Sequence, residues 1–362
     1  MRILAIDTSC DETAVAIVEG RKVLSNVIFS QILIHKKWGG VVPNLAKKAH
    51  EDRIDMIVQE SLRRYLINRK ITDNLRYGFP NSIEEDAMKE IGGIAVTQGP
   101  GLAVALEVGI KKAKEMAKKY RKKLIAVNHL EGHIYSPFVQ NRQGKPKISF
   151  NFPYLALIVS GGHTELVVLN KHLEYQRIGA TLDDAAGEAL DKAAKLLGLG
   201  YPGGPLIERL AKEADNKDYH NLPRPMLKSD NLNFSFSGLK TAFYYLLKKG
   251  NQNLSGKITR ELASSFQCSV FEVLVMKTEK AIKKTGINNL LVGGGVIANL
   301  RLRKLFRDLA SKYSGKVAFP PYKYLTGDNA AMIGVVASFK AEKELYFNDL
   351  NVLDREPRLE LC

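Results

Sequence analysis

Short apolar runs that end in turns of small polar residues recur along the chain and predict buried β-strands. Between them, longer segments such as 44–66 carry apolar residues at helical spacing and predict α-helices. The alternation of the two patterns indicates an α/β fold. The predicted strands lie at 2–6, 14–18, 93–96, 124–127, 154–159, 166–169 and 290–292.

A strand, a small polar turn and a second strand occur in the same order twice. The first turn contains Asp7 and Ser9, which are candidates for contacting a phosphate. The second contains Ser160, Gly161 and Gly162. An ordinary hairpin turn explains either one alone. Their repetition predicts a duplicated domain, the layout of actin-like and sugar-kinase-like (ASKHA) ATPases, with two domains around a central nucleotide and metal cleft.

A pair of histidines follows the predicted strand 124–127. On a helix, His129 and His133 would share one face about 6 Å apart, and two imidazoles at that spacing suit one metal ion. Such pairs also occur as surface or capping residues, and two ligands do not complete a coordination sphere. Asp328, which opens a helical segment of small residues, is either its N-cap or a third ligand.

The composition is that of a globular protein of two domains. The chain has 362 residues, of which 45% are hydrophobic, and this length is large for one core. No export signal and no run of about 18 apolar residues stands out. Three cysteines offer no disulfide framework and fit a reducing compartment. We therefore expect a cytoplasmic protein without membrane contact.

The charge is strongly positive, with 54 Lys and Arg against 38 Asp and Glu. The predicted helix that ends near Lys123 is the most basic segment and includes Lys118, Lys119 and Lys122. A solvated face explains this pattern, and so does contact with a polyanion.

Nine motifs, in order along nearly the whole chain, resemble the tRNA threonylcarbamoyladenosine synthase transferase family, once described as O-sialoglycoprotein endopeptidases. The resemblance implies an N-terminal actin-like domain over 1–133 with an insertion near 67–90, and a second over 134–327. It also implies a C-terminal segment, 328–362, that carries a metal ligand and returns toward the N-terminal domain. The motifs lie at 7–13, 39–43, 97–102, 129–133, 159–164, 187–205, 234–241, 293–299 and 328–333.

The same resemblance implies one divalent metal ion, with iron(II) favoured over zinc or magnesium, held by His129, His133 and Asp328. Ile158 stands where the archaeal branch has a tyrosine ligand, so the chain resembles the bacterial or organellar branch. The resemblance also implies a set of residues that bind the nucleotide substrate. These are Ile158, Val159, Ser160, Gly161, Gly162, Asp191, Gly204, Glu208 and Asn299.

The implied activity is acyl transfer. The threonylcarbamoyl group would move from threonylcarbamoyl-AMP to the N6 amine of adenosine 37 in tRNAs that read codons beginning with A, and ATP or AMP can occupy the same cleft. The implied partners besides tRNA are a TsaB-like paralogous subunit, a TsaE-like ATPase and a TsaC-like enzyme that supplies the adenylate. No residue stands out as a general base. The expected tRNA contacts are Lys47, Lys48, Lys118, Lys119 and Lys122.

Two other functions stay open at this point. An actin-like scaffold or chaperone would use both hairpins but not the histidine pair. A metallopeptidase is disfavoured because zinc peptidases place Glu directly after the first His, whereas here Leu130 follows His129 and Glu131 lies about 200° around the helix. The stretch 44–48 departs from the family's pattern.

Overall fold

A five-stranded sheet lies at the centre of each half of the chain. The structure is a computed structural model that describes residues 1–68, 82–249, 256–347 and 349–362. These residues form two compact units. The first unit contains 1–34, 41–150 and 320–361, and the second contains 35–40, 151–319 and residue 362. The sequence placed its domain limits at 133/134 and 327/328, whereas the units change over at 150/151 and 319/320.

The first unit's sheet has the strand order β3-β2-β1-β4-β5. Strands β1, β2 and β3 are antiparallel neighbours, while β4 and β5 run parallel to β1. The central part of β1, Ile3 to Ile6, is completely buried, as expected for an apolar strand covered on both faces. The strands are β1 (Arg2–Asp7), β2 (Glu12–Glu19), β3 (Lys22–Ser30), β4 (Gly93–Gly99) and β5 (Lys123–Asn128).

The second unit's sheet repeats this topology. Its order is β8-β7-β6-β9-β10, with three antiparallel strands at one side and two strands parallel to β6 at the other. The two sheets therefore match strand for strand, and the predicted duplicated α/β fold is confirmed. These strands are β6 (Tyr154–Val159), β7 (Thr164–Lys171), β8 (Glu174–Ala180), β9 (Asn289–Gly293) and β10 (Lys316–Ala318).

Helices cover the sheets and include the predicted helix at 44–66, which is α2. No helix among the described residues is both long and apolar enough to cross a membrane. Short 3-10 turns occur at Lys36–Trp38, Ser136–Phe138, Gly295–Ala298 and Lys323–Leu325. The α-helices are α1 (Ile32–His35), α2 (Pro43–Asn68), α3 (Ser82–Glu90), α4 (Ala103–Tyr120), α5 (His129–Tyr135), α6 (Ala186–Leu196), α7 (Gly203–Glu213), α8 (Ser237–Lys249), α9 (Gly256–Thr285), α10 (Leu300–Lys312) and α11 (Ala330–Glu342).

The polar stretch 67–89, whose composition predicts a loop or an insertion, forms helices at both of its ends. Helix α2 continues through Asn68, and α3 forms at the other end of the stretch. Ala87 and Met88 of α3 are buried in the first unit's core, which stabilises a short helix whose other residues, apart from Ile83, are polar. The rest of the predicted loop, 69–81, lies outside the described residues.

The glycine turn after β9 is held in a conformation that only glycine adopts without strain. Gly294 has φ 99°, and a Cβ atom there would lie 2.3 Å from the carbonyl oxygen of Val159 in β6. A Cβ at the next residue, Gly295, would meet nothing within 4 Å. The first glycine is therefore required by backbone geometry, while the second has open space.

We expect Gly294→Ala to lower the free energy of unfolding by at least about 2 kcal/mol, because it combines a strained φ with overlap against the β6 backbone. Gly295→Ala, the matched control, should change it by no more than about 0.5 kcal/mol. Urea unfolding followed by circular dichroism measures both. Equal midpoints for the two variants would contradict this account of the turn.

Candidate metal and nucleotide sites

Helix α5 begins directly after β5, and a capping box formed by Asn128 and Glu131 stabilises its first turn. The Asn128 side chain accepts a hydrogen bond from the Leu130 N–H at 2.8 Å, and the Glu131 carboxylate accepts one from the Asn128 N–H at 3.1 Å. These two bonds satisfy N–H groups that a helix start leaves free. The helix therefore places His129 in its first turn and His133 one turn later.

The third predicted ligand comes from the N-terminus of α11. Asn329 caps this helix, accepting from the Met332 N–H at 3.1 Å, so the alternative that Asp328 is the N-cap is wrong. Helices α5 and α11 approach closely at Gly132, where a Cβ would lie 2.9 Å from Met332 Cγ and 3.0 Å from Ile333 Cδ1. This close packing brings the two histidines to Asp328.

The three side chains form a compact ligand group. His129 Nε2 lies 3.2 Å from Asp328 Oδ1, and His133 Nε2 lies 3.4 Å from the same oxygen. One ligand atom from each of the three residues lies within 4.8 Å of the others, a spacing that could hold a metal ion. The imidazole rings are nearly perpendicular, with centroids 4.7 Å apart.

Unsatisfied polar atoms support a cation at this place. His133 is completely buried; within the described residues its Nδ1 has no hydrogen-bond partner, and its Nε2 has only Asp328 Oδ1 beside it, at 3.4 Å and outside good hydrogen-bond geometry. Asp7 Oδ2, also completely buried, likewise lacks one within the described parts of the chain. Buried polar atoms without partners are costly, and two imidazoles with a carboxylate form a donor set that suits a divalent transition metal. The residues therefore fit a metal ion.

The first hairpin turn lies beside this group. Ser9 Oγ is 3.2 Å from His129 Nδ1, and Asp7 Oδ2 is 3.7 Å from the same nitrogen. The other Asp7 oxygen accepts hydrogen bonds from the Ser9 N–H and from the Thr97 hydroxyl. The structure thus places Asp7 and Ser9, which were predicted to contact a phosphate, beside Nδ1 of the candidate metal ligand His129. Their contact with a phosphate stays a prediction.

The electrostatics of the group favour a positive charge. Burial alone would lower the pKa of His129, but the carboxylates of Asp328 and Asp7 outweigh burial and raise this pKa well above its usual value. Burial lowers the pKa of His133, and Asp328 only partly offsets it. Although burial opposes it, the imidazoles hold the pKa of Asp328 well below its usual range. A bound cation would take the place of the imidazolium proton.

Glu131 has a role that the sequence did not reveal. It is buried, closes the capping box of α5 and forms an ion pair with Lys340 of α11 at 2.7 Å. The capping pattern Asn-x-x-Glu was visible in the sequence, but the pairing with a lysine far along the chain was not. Glu131 therefore joins the helix that carries the histidines to the helix that follows Asp328.

In the second unit, the turn after β6, which contains Ser160, Gly161 and Gly162 and is predicted to contact the nucleotide, is open on one side. Ile158 and Val159 are completely buried in the strand, so any contact from them would come through their backbone. A Cβ added at Gly161 or Gly162 would meet nothing within 4 Å. By contrast, a Cβ at Gly187 of α6 would lie 2.4 Å from the Ser160 carbonyl oxygen. One side of the turn is thus packed on α6 and the other is free for a ligand.

The remaining predicted nucleotide residues link four helices of this unit. Asp191 on α6 accepts hydrogen bonds from the N–H groups of Gly203 and Gly204, at 2.7 and 3.2 Å, and so caps α7. Glu208 on α7 accepts one from the Leu300 N–H at 2.9 Å. Asn299 caps α10 and donates to Gln267 of α9 at 2.9 Å. Gln267, which sequence reasoning missed, is almost completely buried.

The predicted tRNA-contacting lysines all belong to the first unit. Lys47 lies 3.5 Å from Glu107, and Lys119 lies 3.3 Å from Glu84, so acidic neighbours partly neutralise both. Lys48 is exposed. Lys118 and Lys122 line a surface cavity of about 460 Å³ whose other cations are Arg121 and Lys123. Contact of these residues with tRNA stays a prediction.

Comparison with known proteins identifies the family. The model of the TsaD family, described as tRNA N6-adenosine threonylcarbamoyltransferase, matches residues 22–76 and 84–335. A relative of that name from Syntrophotalea carbinolica is 45% identical over 336 residues, covering 92% of this chain and 90% of its own. Another from Thermosipho africanus is 43% identical and covers 100% of both chains.

The fold is also found in a solved structure of low sequence identity. HypF of T. kodakarensis superposes with a TM-score of 0.57 at 12% identity, covering 94% of this chain and 48% of that one. This likeness concerns the fold alone. The family match over most of the chain and the relatives that cover 92% or more of it show that this chain belongs to the tRNA N6-adenosine threonylcarbamoyltransferase (TsaD) family.

Proposed function

We propose that this chain transfers a threonylcarbamoyl group from threonylcarbamoyl-AMP to the N6 amine of adenosine 37 in tRNAs that read codons beginning with A. The observation that carries the proposal is the identity of 43% over the full length of a relative of that name. The His129–His133–Asp328 group adds support, since a scaffold without catalysis has no use for it.

We assign His129, His133 and Asp328 as the metal ligands. Two histidines and one carboxylate are the donor set of many iron(II) sites, so iron(II) is the proposed metal. When bound, it would supply a Lewis acid for the negative charge that leaves with AMP. Ser9 and Asp7, which face His129 Nδ1, orient the ring so that Nε2 is directed to Asp328.

We assign adenosine nucleotide binding to the second unit. The turn at Gly161 and Gly162 has open space beside both α-carbons, and we propose that its backbone N–H groups bind a phosphate there. Asp191, Glu208 and Asn299 are proposed to hold the ribose and base, together with Gly204, whose α-carbon faces open space. The acceptor amine is a weak nucleophile, so placement of the two substrates should contribute most of the acceleration.

We also propose a cytoplasmic setting with the partners that family resemblance implies: a TsaB-like subunit, a TsaE-like ATPase and a TsaC-like enzyme. The net charge of +16 supports an anionic macromolecular substrate. Lys47, Lys48, Lys118, Lys119 and Lys122 are the proposed contacts to the tRNA backbone.

Reconstitution tests the reaction and its metal together. The purified chain, with a TsaC-like enzyme, ATP, threonine, bicarbonate, unmodified tRNA and partners, should form threonylcarbamoyladenosine, detected by nucleoside mass spectrometry. His129→Ala/His133→Ala should lower bound metal and product by at least about 100-fold, because two ligands are lost. His172→Ala, in the second unit, is the control and should retain both. Full activity in the double variant would refute the assignment.

Gly204→Val tests the nucleotide assignment. The side chain would enter open space and occupy the volume proposed for the ribose, so AMP affinity should fall at least about tenfold, or about 1.4 kcal/mol. Gly256→Val is the control, since its Cβ would meet only Arg260 Nη1 at 3.7 Å. Isothermal titration with AMP measures both. Unchanged AMP affinity in Gly204→Val would place the nucleotide elsewhere.

Reversal of Lys118, Lys119 and Lys122 to Glu tests the basic end of α4. Loss of phosphate contacts should weaken tRNA binding and reduce the slope of log affinity against log salt by about 1 for each contact. Lys228→Glu/Lys257→Glu/Lys283→Glu makes the same change of net charge at dispersed positions of the second unit. Equal effects of the two triple variants in fluorescence anisotropy would show general attraction rather than a site.

A further inference from the structure

A pair of stacked tyrosines lies just before the metal-ligand candidate Asp328. The rings of Tyr322 and Tyr324 are 5.5 Å apart at their centroids and inclined by only 8°. The 3-10 turn at Lys323–Leu325 arranges them: Leu325 is completely buried, while Lys323 and Tyr324 are exposed. Nothing in the proposed reaction mechanism uses these residues.

Each ring lines its own basic surface cavity. Tyr322 lines a cavity of about 650 Å³ together with Lys145 and Lys147. Tyr324 lines another of about 440 Å³ together with Arg64 and Arg142. No acidic side chain lines either cavity within the described parts of the chain.

The pair is fixed in place. Tyr322 donates its hydroxyl hydrogen to the Lys145 carbonyl oxygen at 3.3 Å, which joins the segment before Asp328 to the loop at 141–147. The Thr326 hydroxyl donates to the Lys323 carbonyl oxygen at 2.7 Å and closes the turn. The Tyr322 ring and the backbone that carries Tyr324 are therefore fixed before any ligand arrives, and the Tyr324 ring stacks on that of Tyr322, which reduces the entropy lost on binding.

Aromatic faces with cations beside them are the chemistry of single-stranded nucleic acid binding. Unpaired bases stack on the rings while lysine and arginine contact the phosphates. Tyr324 lies four positions before Asp328, so their α-carbons lie at most about 14 Å apart. This distance is roughly the length of four stacked nucleotides at 3.4 Å each, so nucleotides close to the acceptor adenosine could reach the rings.

We propose that Tyr322 and Tyr324, with the four cations that line their cavities, form a platform for unpaired anticodon-loop nucleotides that flank the acceptor adenosine. This inference rests on the proposed function, because it takes RNA as the acceptor. It differs from the basic end of α4, which would contact the tRNA backbone without reading unpaired bases. An unpaired loop is the part of tRNA whose bases are free to stack.

Binding of a labelled, unmodified anticodon stem-loop RNA to the full-length chain tests the platform by fluorescence anisotropy. Tyr322→Leu/Tyr324→Leu should lower affinity about tenfold or more, the effect expected when base stacking is lost, with bound metal unchanged. The slope of log affinity against log salt concentration should stay the same, because no cationic side chain is removed. The control is Tyr244→Leu/Tyr245→Leu, an exposed tyrosine pair of the second unit with centroids 5.6 Å apart, and it should leave affinity unchanged.

A second variant keeps the test independent of the turn's stability. Lys145→Ala/Lys147→Ala, at exposed positions, should reduce the salt slope by about 2 for the same RNA. Three results with the stem-loop RNA would each overturn the platform: unchanged affinity in the tyrosine variant, an equal loss in the control variant, or no binding by the unaltered chain. A tyrosine variant that loses binding to a protein partner but keeps its affinity for RNA would overturn it as well. Failure of reconstitution with stem-loop binding intact would refute the proposed reaction instead.

Discussion

The candidate metal site depends on one close contact between helices, that of α5 with α11 at Gly132. Only a residue without a side chain lets the two backbones approach until Met332 and Ile333 lie against it. At that distance both imidazoles reach a single oxygen of Asp328. The ion pair of Glu131 with Lys340 joins the same two helices and is buried at its acidic end, so loss of one partner would leave an unpaired charge. Packing and electrostatics thus fix the ligand geometry together.

Local patterns made much of this predictable. The apolar runs gave the strand positions because a buried strand has to be apolar on both faces, and the repetition of strand, turn and strand indicated the duplication that the matching sheet orders confirm. The pair at His129 and His133 was visible because its spacing is local to one helix turn. Asp328 was also named from the sequence, as either an N-cap or a third ligand, and family resemblance favoured the ligand because no local spacing links it to the pair.

What the sequence did not show depends on contacts between distant segments. Glu131 was placed away from the metal face by helix geometry alone, yet the structure gives it a buried capping and ion-pairing role through Lys340. The sequence predicted that Ser9 contacts a phosphate. The fold places the Ser9 hydroxyl beside His129 Nδ1, which the sequence did not predict. The polar segment that forms α3 was taken for a loop or an insertion because Ala87 and Met88, which pack into the core, give no periodic signal by themselves, and tertiary packing decides the conformation.

The two hairpin turns of the duplicated fold differ in their electrostatics. In the first unit the turn after β1 contains the carboxylate of Asp11 and is flanked by those of Asp7 and Glu12: burial, with Asp11 and Asp328, raises the pKa of Glu12 well above its usual value. Such crowding of acids favours a cation and disfavours a bare phosphate. In the second unit the matching turn after β6 carries two glycines with open space above them and no acid, which suits an anion. The same strand topology therefore presents opposite electrostatics at equivalent places, and that difference supports assigning the metal to one unit and the nucleotide to the other.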